Sequence, residues 1–181
     1  MIPERPRIYL AGPDVFFPAH DSIFAALKAH CARLQMTGVA PTDAPHTPQA
    51  AANDDKQAQA IHDGNVALIR EADGVIANLM SFRGQEPDSG TVFEVGYAVA
   101  LGKPVVGYGV PQGSYAQRVQ AAIPCRRDAA GVVTETARGT LVEGLGQPLN
   151  LMLARSIEFA PDAQAALERL AERLRGRRPA R

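Results

Sequence analysis

The chain has 181 residues, 46% of them hydrophobic, with 19 lysines and arginines balanced by 19 aspartates and glutamates. That length suffices for one complete core and is short for two, so a single domain over residues 1–181 is expected. The zero formal charge leaves no global field for nucleic acid or an anionic membrane, and the two cysteines are too few for a disulfide framework.

The balanced charge points to a small substrate, and the start, Met1 to Arg7, charged and proline-broken with no apolar run long enough for a signal peptide or a membrane span, makes a cytoplasmic protein the expectation. Residues 7–12 read as the first strand. Gly12 and Pro13 then turn the chain toward Asp14, Phe16 and Phe17, whose rings either stack on a ligand or are buried at the junction. Ile23, Leu27, Cys31 and Leu34 recur at helical spacing from about Asp21, which makes Cys31 a small core residue and ends the helix before Gly38. A short second strand is expected over residues 39–43. Residues 41–55 turn to Pro, Asp, Asn, Thr and Ala, the composition of a surface loop that either covers a site or merely connects.

Residues 56–72 return to helical spacing through Ile61, Ala67, Leu68 and Ala72, and carry Asn65. The run from Gly74 to Leu79 is nearly all apolar, as a strand covered on both faces must be, and residues 104–108 read as the next strand. Between them lie Asp88 and Glu94, flanking the start of a predicted helix in a β-loop-α-β unit. The loop of such a unit leaves its strand at the carboxyl end, where ligands bind in open parallel sheets. Residues 109–146, rich in glycine, suggest loops or a small hairpin. Residues 148–155 read as a helix carrying Asn150, with Pro148 in its first turn, and residues 156–159 as a fifth strand. Asp162 caps a last helix with an apolar stripe of Leu167, Leu170, Ala171 and Leu174. Its arginine-rich end, residues 173–181, is either a polyanion site or a solvated terminus that complements the helix dipole. The alternation predicts an α/β fold, a three-layer α-β-α sandwich around a five-stranded parallel sheet of the flavodoxin-like or Rossmann-like kind.

Two readings of Glu94 stand side by side. Thr91-Val92-Phe93-Glu94 fits the capping box, in which the glutamate folds back on the first amides of its helix. Alternatively the helix dipole keeps Glu94 ionised at neutral pH, as a nucleophile must be. Asp88 would then be the second acid of a pair like that of retaining glycoside chemistry. The four histidines show no metal-ligand spacing, His62 beside Asp63 is either a proton donor or a surface residue, and no dinucleotide-binding or P-loop pattern appears.

Four blocks resemble a known family in its own order: Ile8-Tyr9-Leu10-Ala11-Gly12-Pro13; Ala72-Asp73-Gly74-Val75-Ile76-Ala77-Asn78-Leu79; Phe82-Arg83-Gly84-Gln85-Glu86-Pro87-Asp88-Ser89-Gly90-Thr91 leading into Phe93-Glu94-Val95-Gly96-Tyr97-Ala98; and Pro148-Leu149-Asn150-Leu151-Met152-Leu153. The chain resembles the nucleoside 2-deoxyribosyltransferases from about Arg7 to Phe159. The resemblance implies transfer of 2-deoxyribose between nucleobases by double displacement, with deoxynucleosides and free bases as partners and no cofactor or metal. It makes Glu94 the nucleophile and Tyr9 the tyrosine that positions it. Asp88 would sit beside the sugar and its 5′-hydroxyl, and Asn150 would reach the 5′-hydroxyl in a neighbouring subunit's site, which implies a homo-oligomer. Gly12 and Phe16 fall in the substrate loop, with Phe16 available to a nucleobase. Asn65 stands where many members carry an aspartate near the leaving base, and an amide cannot act as a general acid. A related branch hydrolyses deoxynucleoside 5′-phosphates, but Asp88 would set a negative charge against that phosphate, which favours the unphosphorylated nucleoside. Two rivals remain open at this level: an N-glycosidase with water as acceptor, and a non-catalytic nucleotide-binding module.

Overall fold

The computed structural model describes residues 5–44 and 54–177. Five parallel strands form its main sheet in the order β2-β1-β3-β4-β7: β1 (Arg7–Ala11), β2 (Thr37–Val39), β3 (Gly74–Asn78), β4 (Val105–Tyr108) and β7 (Glu158–Phe159). This is the doubly wound, flavodoxin-like order. Its switch point lies between β1 and β3, so the crevice outside their carboxyl ends is where a ligand belongs.

Strand alternation builds one apolar cluster on each face. Ile8 and Leu10 of β1 and Ile76 of β3 pack with Phe24 and Cys31 of α1 (His20–Arg33) and with Leu167 and Leu170 of α6 (Ala163–Arg177). Tyr9, Ala11, Val75 and Ala77 turn the other way, toward Leu68 and Ile69 of α2 (Asp54–Glu71), Val95 and Ala98 of α3 (Ser89–Ala100), and Leu153 of α5 (Leu151–Ser156). Each large apolar side chain so buried stabilises the fold by about 1.5–3 kcal/mol. Close approach of α6 explains Gly74, where an added Cβ would lie 2.9 Å from Leu170 Cδ1. Asp162 caps α6 as expected, its Oδ1 accepting from Ala165 N at 2.8 Å.

Several expectations shift. The second strand is Thr37–Val39, paired with Arg7 to Tyr9, and Pro41–Asp43 is a 3-10 turn; Pro41 has no N–H to give a strand ladder. Residues 45–53 of the anticipated covering loop lie outside the described residues, as do 178–181 of the basic terminus. The 109–146 region does hold a small antiparallel pair, β5 (Cys125–Arg127) with β6 (Val133–Glu135), but also an unanticipated helix α4 (Tyr115–Ala122), started by a Ser114–Gln117 capping box. Asn150 is not inside a helix begun by Pro148; it is the N-cap of α5, its Oδ1 accepting from Met152 N at 3.0 Å. No described helix is long and apolar enough to cross a membrane.

Candidate active site

Tyr9, wholly buried, projects from β1 toward α3 and donates its hydroxyl to Glu94 Oε1 at 2.5 Å. Glu94 can face the strand because it has no capping task. Asp88 takes the N-cap of α3 instead, its Oδ2 accepting from Thr91 N at 2.8 Å and Thr91 Oγ1 at 3.0 Å. Thr91 is therefore a buried residue inside the first turn, and the capping-box reading of Glu94 is corrected. An aspartate three residues before a threonine is at least as good a cap as the threonine itself.

Burial pushes the Glu94 carboxyl up to about 7, and the negative charge of Asp88 adds to the rise, while the Tyr9 hydrogen bond works against it. The expectation that Glu94 stays ionised at neutral pH is thus cut back to a carboxyl near half-ionised there, because burial raises its pKa. Tyr9 is pushed far above the ordinary tyrosine value, first by burial and then by the Glu94 charge and hydrogen bond, and so remains a neutral donor.

A cavity of about 350 Å³ opens on this pair, walled by Gly12 and Phe16 from the loop after β1, Asn65 from α2, and Asp88 and Thr91 from the start of α3. Five of the seven residues singled out from sequence therefore meet at one cavity, and Tyr9 reaches it through Glu94. Asn65 does project to the crevice; its Oδ1 is buried with no hydrogen-bond partner among the described residues, an acceptor awaiting a donor. Phe16 escapes burial, with 57% of its surface exposed. Gly12 is required by close approach, since a Cβ there would fall 2.3 Å from Asp14 Oδ2 and 2.8 Å from Asn78 Cβ.

Asn150 does not join this cavity within the chain. It lines a separate groove of about 620 Å³ on the other side of α3, with Val92 and Met152, and donates Nδ2 to Glu143 Oε2 at 3.0 Å. His62 and Asp63 bond each other at 3.0 Å on the exposed face of α2, and neither lines the cavity. Sequence reasoning passed over Thr42 and Ile61, which also line it, because no motif marks them. It also missed the buried pairing of Asp14 with Asn78, whose Nδ2 donates to both carboxylate oxygens at 3.1 and 3.2 Å. Polar residues just beyond the ends of β1 and β3 were the available signal.

Residues 8–152 match the family described as nucleoside 2-deoxyribosyltransferase. The chain belongs to that family. The matched stretch takes in every wall of the cavity and Asn150. The 2-desoxiribosyltransferase from Leishmania mexicana is 30% identical, superposes with a TM-score of 0.71, and is covered over 97% of its length by 92% of this chain. A conserved protein from Enterococcus faecalis V583, 21% identical with a TM-score of 0.60 over 94% of this chain and 99% of its own, shares the fold. An uncharacterized protein of Schizosaccharomyces pombe is 34% identical over 116 residues, 64% of this chain; the chain spans about half, 55%, of that relative. The nucleoside 2-deoxyribosyltransferase family thus accounts for the five-stranded parallel sheet and its flanking helices.

Proposed function

We propose that the protein transfers 2-deoxyribose between nucleobases through a covalent glycosyl-enzyme on Glu94. The observation that carries this reading is the short hydrogen bond by which buried Tyr9 holds Glu94 Oε1 beside a cavity of nucleoside dimensions. With Oε1 so occupied, Oε2 is the attacking oxygen. Its lone pair forms a bond to C1′ as the C1′–N bond breaks, and that bond's electron pair leaves with the base, which takes up a proton through water. The amide of Asn65 holds the base by hydrogen bonding and supplies no proton. A nitrogen of the second base then attacks C1′, gives up its proton to water, and Glu94 departs as carboxylate.

The missing 2′-hydroxyl of the substrate makes positive charge on the sugar easier to form, and two carboxylates beside it stabilise that charge electrostatically. Asp88, with Oδ2 committed to the cap of α3, offers Oδ1 to the 5′-hydroxyl. Asn150 serves the same hydroxyl in a neighbouring subunit, so the working enzyme is a homo-oligomer. The experiment is intact-mass analysis of the protein after incubation with a 2′-deoxynucleoside, with chromatography of the products after a free base is added. A deoxyribosyl adduct on the wild type, absent from Glu94→Ala, together with base exchange that needs Glu94, is the expected result. Full exchange by Glu94→Ala overturns the assignment; sugar release at the same rate with and without an added base makes water the acceptor.

A further inference from the structure

Phe16, on the wall of the cavity, is backed by a distant segment that does not itself line it. Phe16, in the turn after β1, stacks on Phe82 with ring centroids 5.4 Å apart and planes 21° from parallel, and Phe17 meets the same ring edge-on at 6.5 Å. The Arg83 guanidinium lies 4.8 Å from the centroid of Phe82 and 5.5 Å from that of Phe16. Both distances are within cation–π range. None of the ion pairs among the described residues involves Arg83.

The backbone is adapted to this arrangement. Phe82 N donates to Glu86 O at 2.9 Å, closing a turn, and Arg83 within it sits at φ +54°, in the left-handed region that an arginine rarely adopts. A strained residue in a loop beside a cavity persists only where the surroundings hold it there. A cluster this exposed gains little from water exclusion, since Phe16 keeps 57% of its surface open although Phe82 covers one side of its ring. What it does provide is a set of contacts on one side of the Phe16 ring, at the wall of the cavity.

We infer that Phe82 and Arg83 are positioning residues that hold Phe16 as a preformed wall for the nucleobase. This rests on the reading of the cavity as a nucleoside site. The nucleobase stacks on the ring of Phe16 that they fix, so they govern how tightly a free base is captured and not how fast the sugar is transferred. Ordering an aromatic side chain in advance removes a cost that binding would otherwise meet.

The test measures KM for the acceptor at saturating 2′-deoxynucleoside, with the four DNA bases tried in turn and the fastest one followed, in Phe82→Leu, Arg83→Gly, Phe16→Leu and the double variant Phe16→Leu/Arg83→Gly. KM does not depend on the concentration of active enzyme, so partial misfolding leaves it readable. Phe82→Leu and Arg83→Gly are expected to raise the acceptor KM about three- to tenfold with kcat within about twofold. Glycine relieves the left-handed backbone, so Arg83→Gly is expected to keep its melting temperature, which separates positioning from a merely structural role. The double variant is expected to be no worse than Phe16→Leu alone. Unchanged KM in Arg83→Gly and Phe82→Leu while Phe16→Leu raises it overturns the inference, as does a double variant whose defect is the product of the single ones. Unchanged KM in Phe16→Leu removes the nucleobase from this wall. A wild type that exchanges no base at all fails the transferase reading itself, before any variant is compared.

Discussion

At the scale of single residues, the site's behaviour turns on a carboxyl whose acidity is set by burial. Only deprotonated Glu94 can attack, so the rate of covalent adduct formation should rise with pH and level off above about 7; stopped assays between pH 5 and 9 would read the midpoint. A midpoint near the ordinary glutamate value would mean that Glu94 is not desolvated when the substrate enters. Stability should move the opposite way. The folded state holds the Glu94 proton where the unfolded chain, with an ordinary value of 4.5, has released it, so this side chain costs more stability as pH climbs from about 4.5 to about 7. Glu94→Gln, which keeps an oxygen for Tyr9, should therefore be more stable than the wild type above pH 7, by on the order of 1–3 kcal/mol in urea titrations, and indistinguishable from it near pH 4.

At the scale of elements, the sheet was legible because β1, β3 and β4 are nearly continuous apolar runs, and α6 because its stripe matches the helical repeat. Leu170 is fully buried against β3, so Leu170→Ala should cost about 2–5 kcal/mol of unfolding free energy with no change in acceptor KM. What was not legible has physical causes. The Thr91–Glu94 spacing satisfies a capping box on paper, but Asp88 competes for the same amide and wins, which frees Glu94 for Tyr9. Helix α4 hides in a stretch of glycines and prolines because its start depends on one Ser114–Gln117 exchange of hydrogen bonds and its packing on a small cluster with Val133 and Val142. The residues that share the cavity were easier to gather from the sequence than these elements. Glycines and aromatics beyond a strand end, and a carboxylate at a helix start, carry their meaning locally. The contact between Phe16 and Phe82 joins residues 66 apart, and no local pattern announces it.

At the scale of the whole molecule, Asn150 and Glu94 lie on opposite sides of α3, and a chain by itself offers the cavity no side chain from the α3–α5 groove. If a second copy supplies Asn150, then Glu94→Ala and Asn150→Ala proteins, each nearly inactive, should regain up to about a quarter of the wild-type exchange rate when dissociated, mixed and reassembled, the fraction expected for random pairing in a dimer. Mixtures that stay as inactive as their parents would confine each site to one protomer. Loss of Met152, 70% exposed beside Asn150, offers a second check: Met152→Asp should lower the assembled mass seen by light scattering if that groove is covered.

Tyr9 and Glu94 stand 85 positions apart along the polypeptide, and the burial that comes with their meeting is what raises this glutamate's pKa. In an incompletely folded chain the same carboxyl is an ordinary solvated acid. A carboxyl-seeking epoxide or diazo reagent should therefore label Glu94 distinctively only once the parallel sheet has closed. The yield of that label, followed during refolding from denaturant, would time the moment at which the protein acquires its reactivity.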